Sequence, residues 1–261
     1  MLHRIDHHVL ARYRWWLENR PARDGGHLKG ASIQVKLSSI AAMYKVLVAF
    51  GYVQYSPLGR IEDGRTRRRR LQSDPCGDLR LSIDDLRRLL AYPFEKEGYW
   101  GLRDKVLLHT LGFLALRPVE MSWLCLSNMR GNTLAVQRTK HNYPGSFWMP
   151  DEYRDWVDEM QYQYGILPHQ PMFLSQYRTQ ITVRDIQNIV RKYAEKIGIP
   201  GLTPKDFRST VETYMDDHFG ELHRDKYMGY VPPGTARKYY VKVPKSRVQE
   251  MFDAWVHELK G

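Results

Sequence analysis

Between residues 30 and 51 the apolar side chains Ile33, Leu37, Ile40, Tyr44 and Leu47 recur at alternating spacings of four and three, while Gln34, Lys36, Ser38 and Lys45 occupy the other face. That period predicts an amphipathic helix with Ser32 as N-cap and Gly51 just past its end. A second helix is expected over roughly residues 4 to 20, so residues 1–60 read as a small all-α unit. The stretch "SPLGRIEDGRTRRRRLQSDPCGD" then shows no hydrophobic period, and residues 61–78 read as a basic linker at a domain boundary. In residues 79–261, "LSIDDLRRLLAYP" opens on Ser82 and Asp85 as a capping-box-like start, with Leu86, Leu89 and Leu90 as its stripe. The apolar run "DKVLLHTLGFLAL" predicts a buried helix ending at Arg117. Two short extended runs around Asn142-Tyr143-Pro144-Gly145 predict a hairpin. Helical stripes return with Val183, Ile186, Ile189, Val190 and Tyr193, and finally with Val248, Met251, Phe252, Trp255 and Leu259. The predicted fold is therefore mainly α with a small antiparallel β-sheet, in two domains.

Charge narrows the class. A formal charge of +11 over 261 residues is what a protein serving a polyanion carries, and nucleic acid is the leading partner. The Arg-rich linker, with Arg65, Arg67, Arg68, Arg69 and Arg70, is expected to track phosphates. Two cysteines, Cys76 and Cys125, are too few for a disulfide framework and have no zinc-ligand spacing around them, which fits a reducing cytoplasm. Neither a signal peptide nor an apolar run of membrane-spanning length is visible.

The residues suited to chemistry are scattered. In "GLTPKDFRST", Thr203 is a plausible N-cap and Pro204 the first helical residue, so Lys205 and Arg208 share one face near a helix N-terminus, where an anion would be favoured. Arg117 emerges where an apolar helix stops, free to snorkel or to pair with a carboxylate such as Glu120. Lys140 lies near the hairpin tip, and Tyr239 and Tyr240 sit in a cationic neighbourhood, "GTARKYYVKVP".

In their order, these fragments resemble the tyrosine recombinase, or phage integrase, family along nearly the whole chain. "LALRPVEMSWL" is similar to the box holding the family's first catalytic arginine, and "VQRTKHNYPGSFWMP" to its lysine hairpin. "LTPKDFRST" is similar to the His-x-x-Arg box, and "YMGYVPPGTARKYYVKVP" to the Gly-His box and nucleophile. Lys205 and Tyr230 stand where the family usually has histidines.

The resemblance implies a clamp in which a helical core-binding domain and an α+β catalytic domain close on double-stranded DNA. It implies site-specific recombination by a metal-free, cofactor-free route. Tyr240 would attack a scissile phosphate to leave a 3′-phosphotyrosyl bond, with Tyr239 in the other register. Arg117 and Arg208 would hold the non-bridging oxygens, Lys140 would protonate the leaving 5′ oxygen, and Lys205 and Tyr230 would support the phosphate. It further implies a homotetramer on two DNA sites, a mobile-element or phage context, and no small-molecule substrate. The last helix could dock on a neighbouring subunit or pack within its own. A catalytically impaired DNA-binding relative and a type IB topoisomerase-like enzyme are the alternatives.

Overall fold

The computed structural model describes residues 5–21, 25–57, 81–139, 144–230 and 243–261. The linker arginines, Cys76, Lys140, Tyr239 and Tyr240 lie outside the described residues. The chain divides into two compact units, Met1–Gly77 and Asp78–Gly261.

The first unit contains α1 (His7–Asn19) and α2 (Gly30–Ala49). Asp6 caps α1 by accepting from the Val9 N–H at 2.9 Å. The stripe expected on α2 points inward: Ile33, Leu37 and Tyr44 are buried, and Ile40 and Leu47 half-buried. Ile33 and Leu37 meet Leu17 of α1, with Tyr13 and Leu28 packed alongside. Ser32 is not the N-cap. The N-cap is Lys29, three residues earlier, the helix begins at Gly30, and Ser32 donates its backbone N–H to Lys29 O within the first turn. Gly51, at φ +73°, ends it as expected.

The second unit is a helical body around one core, with a three-stranded antiparallel sheet at its side. Among the described residues its α-helices are α3 (Ile83–Leu90), α4 (Gly101–Leu114), α5 (Pro118–Ser122), α6 (Asp151–Tyr164), α7 (Val183–Lys196), α8 (Pro204–Phe219), α9 (Glu221–Met228) and α10 (Lys245–Lys260). Ser82 caps α3 as its sequence predicts, accepting from the Asp85 N–H at 3.1 Å. Helix α4 is buried on nearly every side, so its apolar residues show no amphipathic period: Val106, Leu107, Leu108, Leu111 and Leu114 are all fully covered.

The sheet runs β1 (Met129–Arg130), β2 (Thr133–Gln137), β3 (Pro144–Trp148) in that order. Register pairs Thr133 with Trp148 and Gln137 with Pro144. Pro144 and Gly145 are thus strand residues rather than turn residues; proline fits there because β3 is an edge strand. Alternation along β2 buries Leu134 and Val136 and exposes Ala135 and Gln137.

Met251, Phe252, Trp255 and Leu259 of α10 are at most 7% exposed and belong to the core of their own unit. These residues therefore face inward, onto the core of their own unit. Arg87 of α3 reinforces it, donating to Glu258 O at 2.8 Å. No helix among the described residues is long and apolar enough to cross a membrane.

Candidate active site

An α-helix leaves its last carbonyls without intrahelical partners, and the C-terminus of α4 ends inside the protein, so those carbonyls must be met by side chains. Four segments supply them. Trp255 Nε1 of α10 donates to Gly112 O at 2.8 Å, and Tyr227 Oη of α9 donates to Phe113 O. Arg138 Nη2, just past β2, donates to Leu114 O at 3.1 Å, and Arg208 Nη1 of α8 donates to Ala115 O at 2.7 Å. The helix stops because Ala115 takes φ +51°, a left-handed conformation. The negative end of the α4 dipole then faces two guanidinium groups, the favourable sense.

Both arginines reach a second helix end as well. Arg138 Nη2 also donates to Tyr227 O at 3.1 Å, and Arg208 Nη2 donates to Met228 O at 3.1 Å. The C-termini of α4 and α9 are therefore held together by a pair of guanidinium bridges. Next along the chain are Gly229, at φ +70°, and Tyr230. A Cβ on Gly229 would lie 2.6 Å from Arg138 Cγ, so both backbone angle and space demand glycine there.

Arg117 is set by the chain's geometry between α4 and α5. Pro118 at the first position of α5 holds Arg117 extended (φ −70°, ψ 147°). Its backbone N–H donates to Glu120 Oε2 at 2.9 Å and its Nη1 to Glu120 Oε1 at 2.7 Å. Glu120 is itself buried, and it also accepts from Thr139 N–H and Thr139 Oγ1, both at 2.9 Å. Burial alone would raise its pKa; hydrogen bonds from Arg117 and Thr139 and the charge of Arg138 outweigh that and hold it at about 2. Arg138 is 1% exposed, and burial lowers its pKa to about 10, still charged at neutral pH.

The ring of Tyr230 is where the two arginines meet. Arg208 Cζ lies 5.0 Å and Arg117 Cζ 5.9 Å from its centroid, within cation–π range. The phenolic oxygen accepts from Arg208 Nε at 3.3 Å and donates to Glu212 Oε2 at 3.1 Å. Arg117 retains an exposed edge, at 23% of its side chain, whereas Arg208 is 8% exposed.

Three of the six sequence-predicted residues, Arg117, Arg208 and Tyr230, are thus gathered at one spot. Lys205 is exposed on the first turn of α8 and has no partner among the described residues. The expectation that Lys205 and Arg208 flank an anion at the α8 N-terminus does not match the geometry. Asp206 occupies that position, accepting from Thr203 N–H and Thr203 Oγ1 at 2.7 Å each, while Arg208 turns inward to the helix ends. Lys140 and Tyr240 lie outside the described residues. Sequence reading missed Arg138, Tyr227 and Glu212. Arg138 carried a usable signal: it continues the inward parity of Leu134 and Val136 by one more step of two.

No family model matches the chain. It is 27% identical over 256 residues to tyrosine recombinase XerC of Pelobacter propionicus, covering 95% of this chain and 78% of that protein. It is 24% identical over 250 residues to tyrosine recombinase XerC of Syntrophus aciditrophicus, covering 87% and 74%. Among solved structures it shares its fold with XerA recombinase (TM-score 0.51, 18% identity, 97% of this chain and 84% of that one). It likewise shares its fold with a lambda integrase dimer bound to a core site (TM-score 0.58, 11% identity, 93% and 68%).

Proposed function

The chain belongs to the tyrosine recombinase family, and from that membership we propose that it cuts and rejoins double-stranded DNA through a 3′-phosphotyrosyl intermediate, with Tyr240 as the nucleophile. The observation that carries the proposal is the convergence of Arg117 and Arg208 on Tyr230. Two guanidinium groups beside one phenol, one of them with an exposed edge, form a preorganised cationic site for a phosphodiester.

In this reading the phenolic oxygen of Tyr240 attacks phosphorus and the bond to the 5′ oxygen breaks. Arg117 and Arg208 stabilise the charge that grows on the non-bridging oxygens. Lys140 gives a proton to the leaving 5′ oxygen as general acid. A tyrosine normally ionises near pH 10, so the attacking phenol needs the field of these cations to favour its anion. Tyr230 supplies a hydroxyl to the phosphate, and Lys205 a positive charge at the rim. The phosphotyrosyl bond conserves the energy of the broken link, and attack by a 5′-hydroxyl restores the backbone. Four protomers on two duplexes would complete an exchange, in the cytoplasm and on a mobile element's own sites.

A nicked duplex pool with a randomised core tests this with no target sequence chosen in advance, because the strand below the nick diffuses away after cleavage. Wild-type protein is expected to form a denaturant-resistant adduct, and Tyr240→Phe and Arg117→Ala are expected to form none while retaining DNA binding. Strand exchange between two captured sites separates recombination from simple strand relaxation. Absence of any adduct would leave a DNA-binding relative.

A further inference from the structure

Arg138 is more buried than either arginine of the site and makes more structural connections than its single charge requires. Its guanidinium bridges Leu114 O and Tyr227 O, the ends of α4 and α9. Its aliphatic stem lies against the Gly229 backbone, closely enough that a Cβ there would meet Cγ at 2.6 Å. Its Nη1 stands 3.5 Å from Glu120 Oε2 and makes no hydrogen bond among the described residues. The next residue, Thr139, donates twice to Glu120, the carboxylate that holds Arg117.

Three consecutive residues before Tyr230 are thus gripped: Tyr227 and Gly229 by Arg138, and Met228 by Arg208. On the opposite side the same strand end grips Glu120, and through it Arg117. We propose that Arg138 is a positioning residue for the cation site, locking the α9 end and the Glu120–Arg117 pair to one strand so that Tyr230, Arg117 and Arg208 keep a common geometry. A rigid guanidinium suits the task, since Nη2 alone bridges the two carbonyls while the plane holds Nη1 toward the Glu120 carboxylate. Among the described residues its contacts are two backbone carbonyls, Gly229 and Glu120. Its charge faces Glu120 at 3.5 Å, behind the closer Arg117–Glu120 pair at 2.7 Å.

The proposal rests on the reading of Arg117 and Arg208 as a phosphate site, and the test separates the two. Protein labelled with 15N-arginine is titrated with inorganic phosphate while the Nε resonances of Arg117 and Arg208 are followed. Wild-type protein is expected to shift both resonances with one shared dissociation constant. Arg138→Lys keeps the buried charge and loses the fork; it is expected to weaken that constant about ten-fold and to split the two arginines into separate responses. Arg138→Met is expected to weaken it further, and if that variant does not fold, Arg138→Lys carries the comparison alone. Arg103→Lys is the control for mere destabilisation. It alters another buried arginine, paired with Asp104 at 2.6 Å at the opposite end of α4, and is expected to lower the melting temperature without changing the phosphate titration. Equal weakening by Arg103→Lys and Arg138→Lys, or an unchanged titration in Arg138→Lys, would overturn the positioning role while leaving the phosphate site intact. Wild-type resonances indifferent to phosphate would overturn both.

Discussion

Replacing Glu120 with glutamine changes one atom and removes one buried charge, and its cost follows from the surroundings. Among the described residues, every group within hydrogen-bond reach of the carboxylate is a donor: the backbone N–H and Nη1 of Arg117, and the N–H and Oγ1 of Thr139. Arg138 stands behind them at 3.5 Å. An amide would turn its own NH2 toward at least one of these donors and would leave Arg138 without its counter-charge. Held at about 2 against an ordinary carboxyl value of 4.5, the carboxylate contributes about 3 kcal/mol at neutral pH, at about 1.4 kcal/mol per pKa unit. In a unit of this length that lowers the melting temperature by about 6 to 12 °C. The sign is fixed by the depressed folded-state pKa: the contribution is complete above pH 4.5 and is lost as pH falls toward 2. Thermal unfolding followed by circular dichroism, for wild type and Glu120→Gln in parallel, reads both effects. The gap between the two proteins is expected to be widest near pH 7.5 and to narrow steadily below pH 4.5. A gap below about 2 °C at pH 7.5, or one that stays constant to pH 3, would refute the reasoning.

Further outcomes follow from the same structure. Gly229→Ala forces a Cβ into 2.6 Å of Arg138 Cγ at φ +70°; a loss of about 2 to 4 kcal/mol is expected in chemical denaturation, combining left-handed strain with overpacking. His109, enclosed by Phe94, Phe113 and Trp156, is kept neutral by burial, which lowers its pKa to about 4. Its unfolded form binds a proton first, so wild type is expected to lose about 3 kcal/mol as pH falls from 6.5 to 4, a loss that His109→Phe should not show in the same titration. If the two proteins decline in parallel over that window, the buried imidazole is not the cause.

Much of the helical architecture is written in local pattern. The stripe on α2, the Ser82 cap of α3 and the apolar stripe of α10 each follow from spacing alone, because an amphipathic helix must turn one face to a core, though spacing does not say which core α10 meets. Helix α4 is legible only as an apolar run, since burial on all sides erases its period. The site is less legible, and for a definite reason. Arg117, Arg138 and Arg208 sit far apart in sequence and are united by the orphan carbonyls of two helix ends, a requirement that exists only once the helices have packed. Sequence alone put Arg208 at the N-terminus of its own helix; the structure turns it toward the C-termini of α4 and α9, where its donors are needed more. Glu120 was visible as a partner for Arg117, but not as the point where a strand end, a helix cap and two arginines meet. Arg138 could have been read from the two-residue period of β2, had the alternation been carried one position past the strand.

The most direct test of the central claim is chemical. Protein captured on the nicked duplex pool is digested with protease and nuclease, and the peptide bearing residual nucleotide is sequenced by mass spectrometry. Tyr240 is the residue expected to carry the nucleotide. Modification of Tyr239, or of any residue other than Tyr240, would contradict its role as the nucleophile.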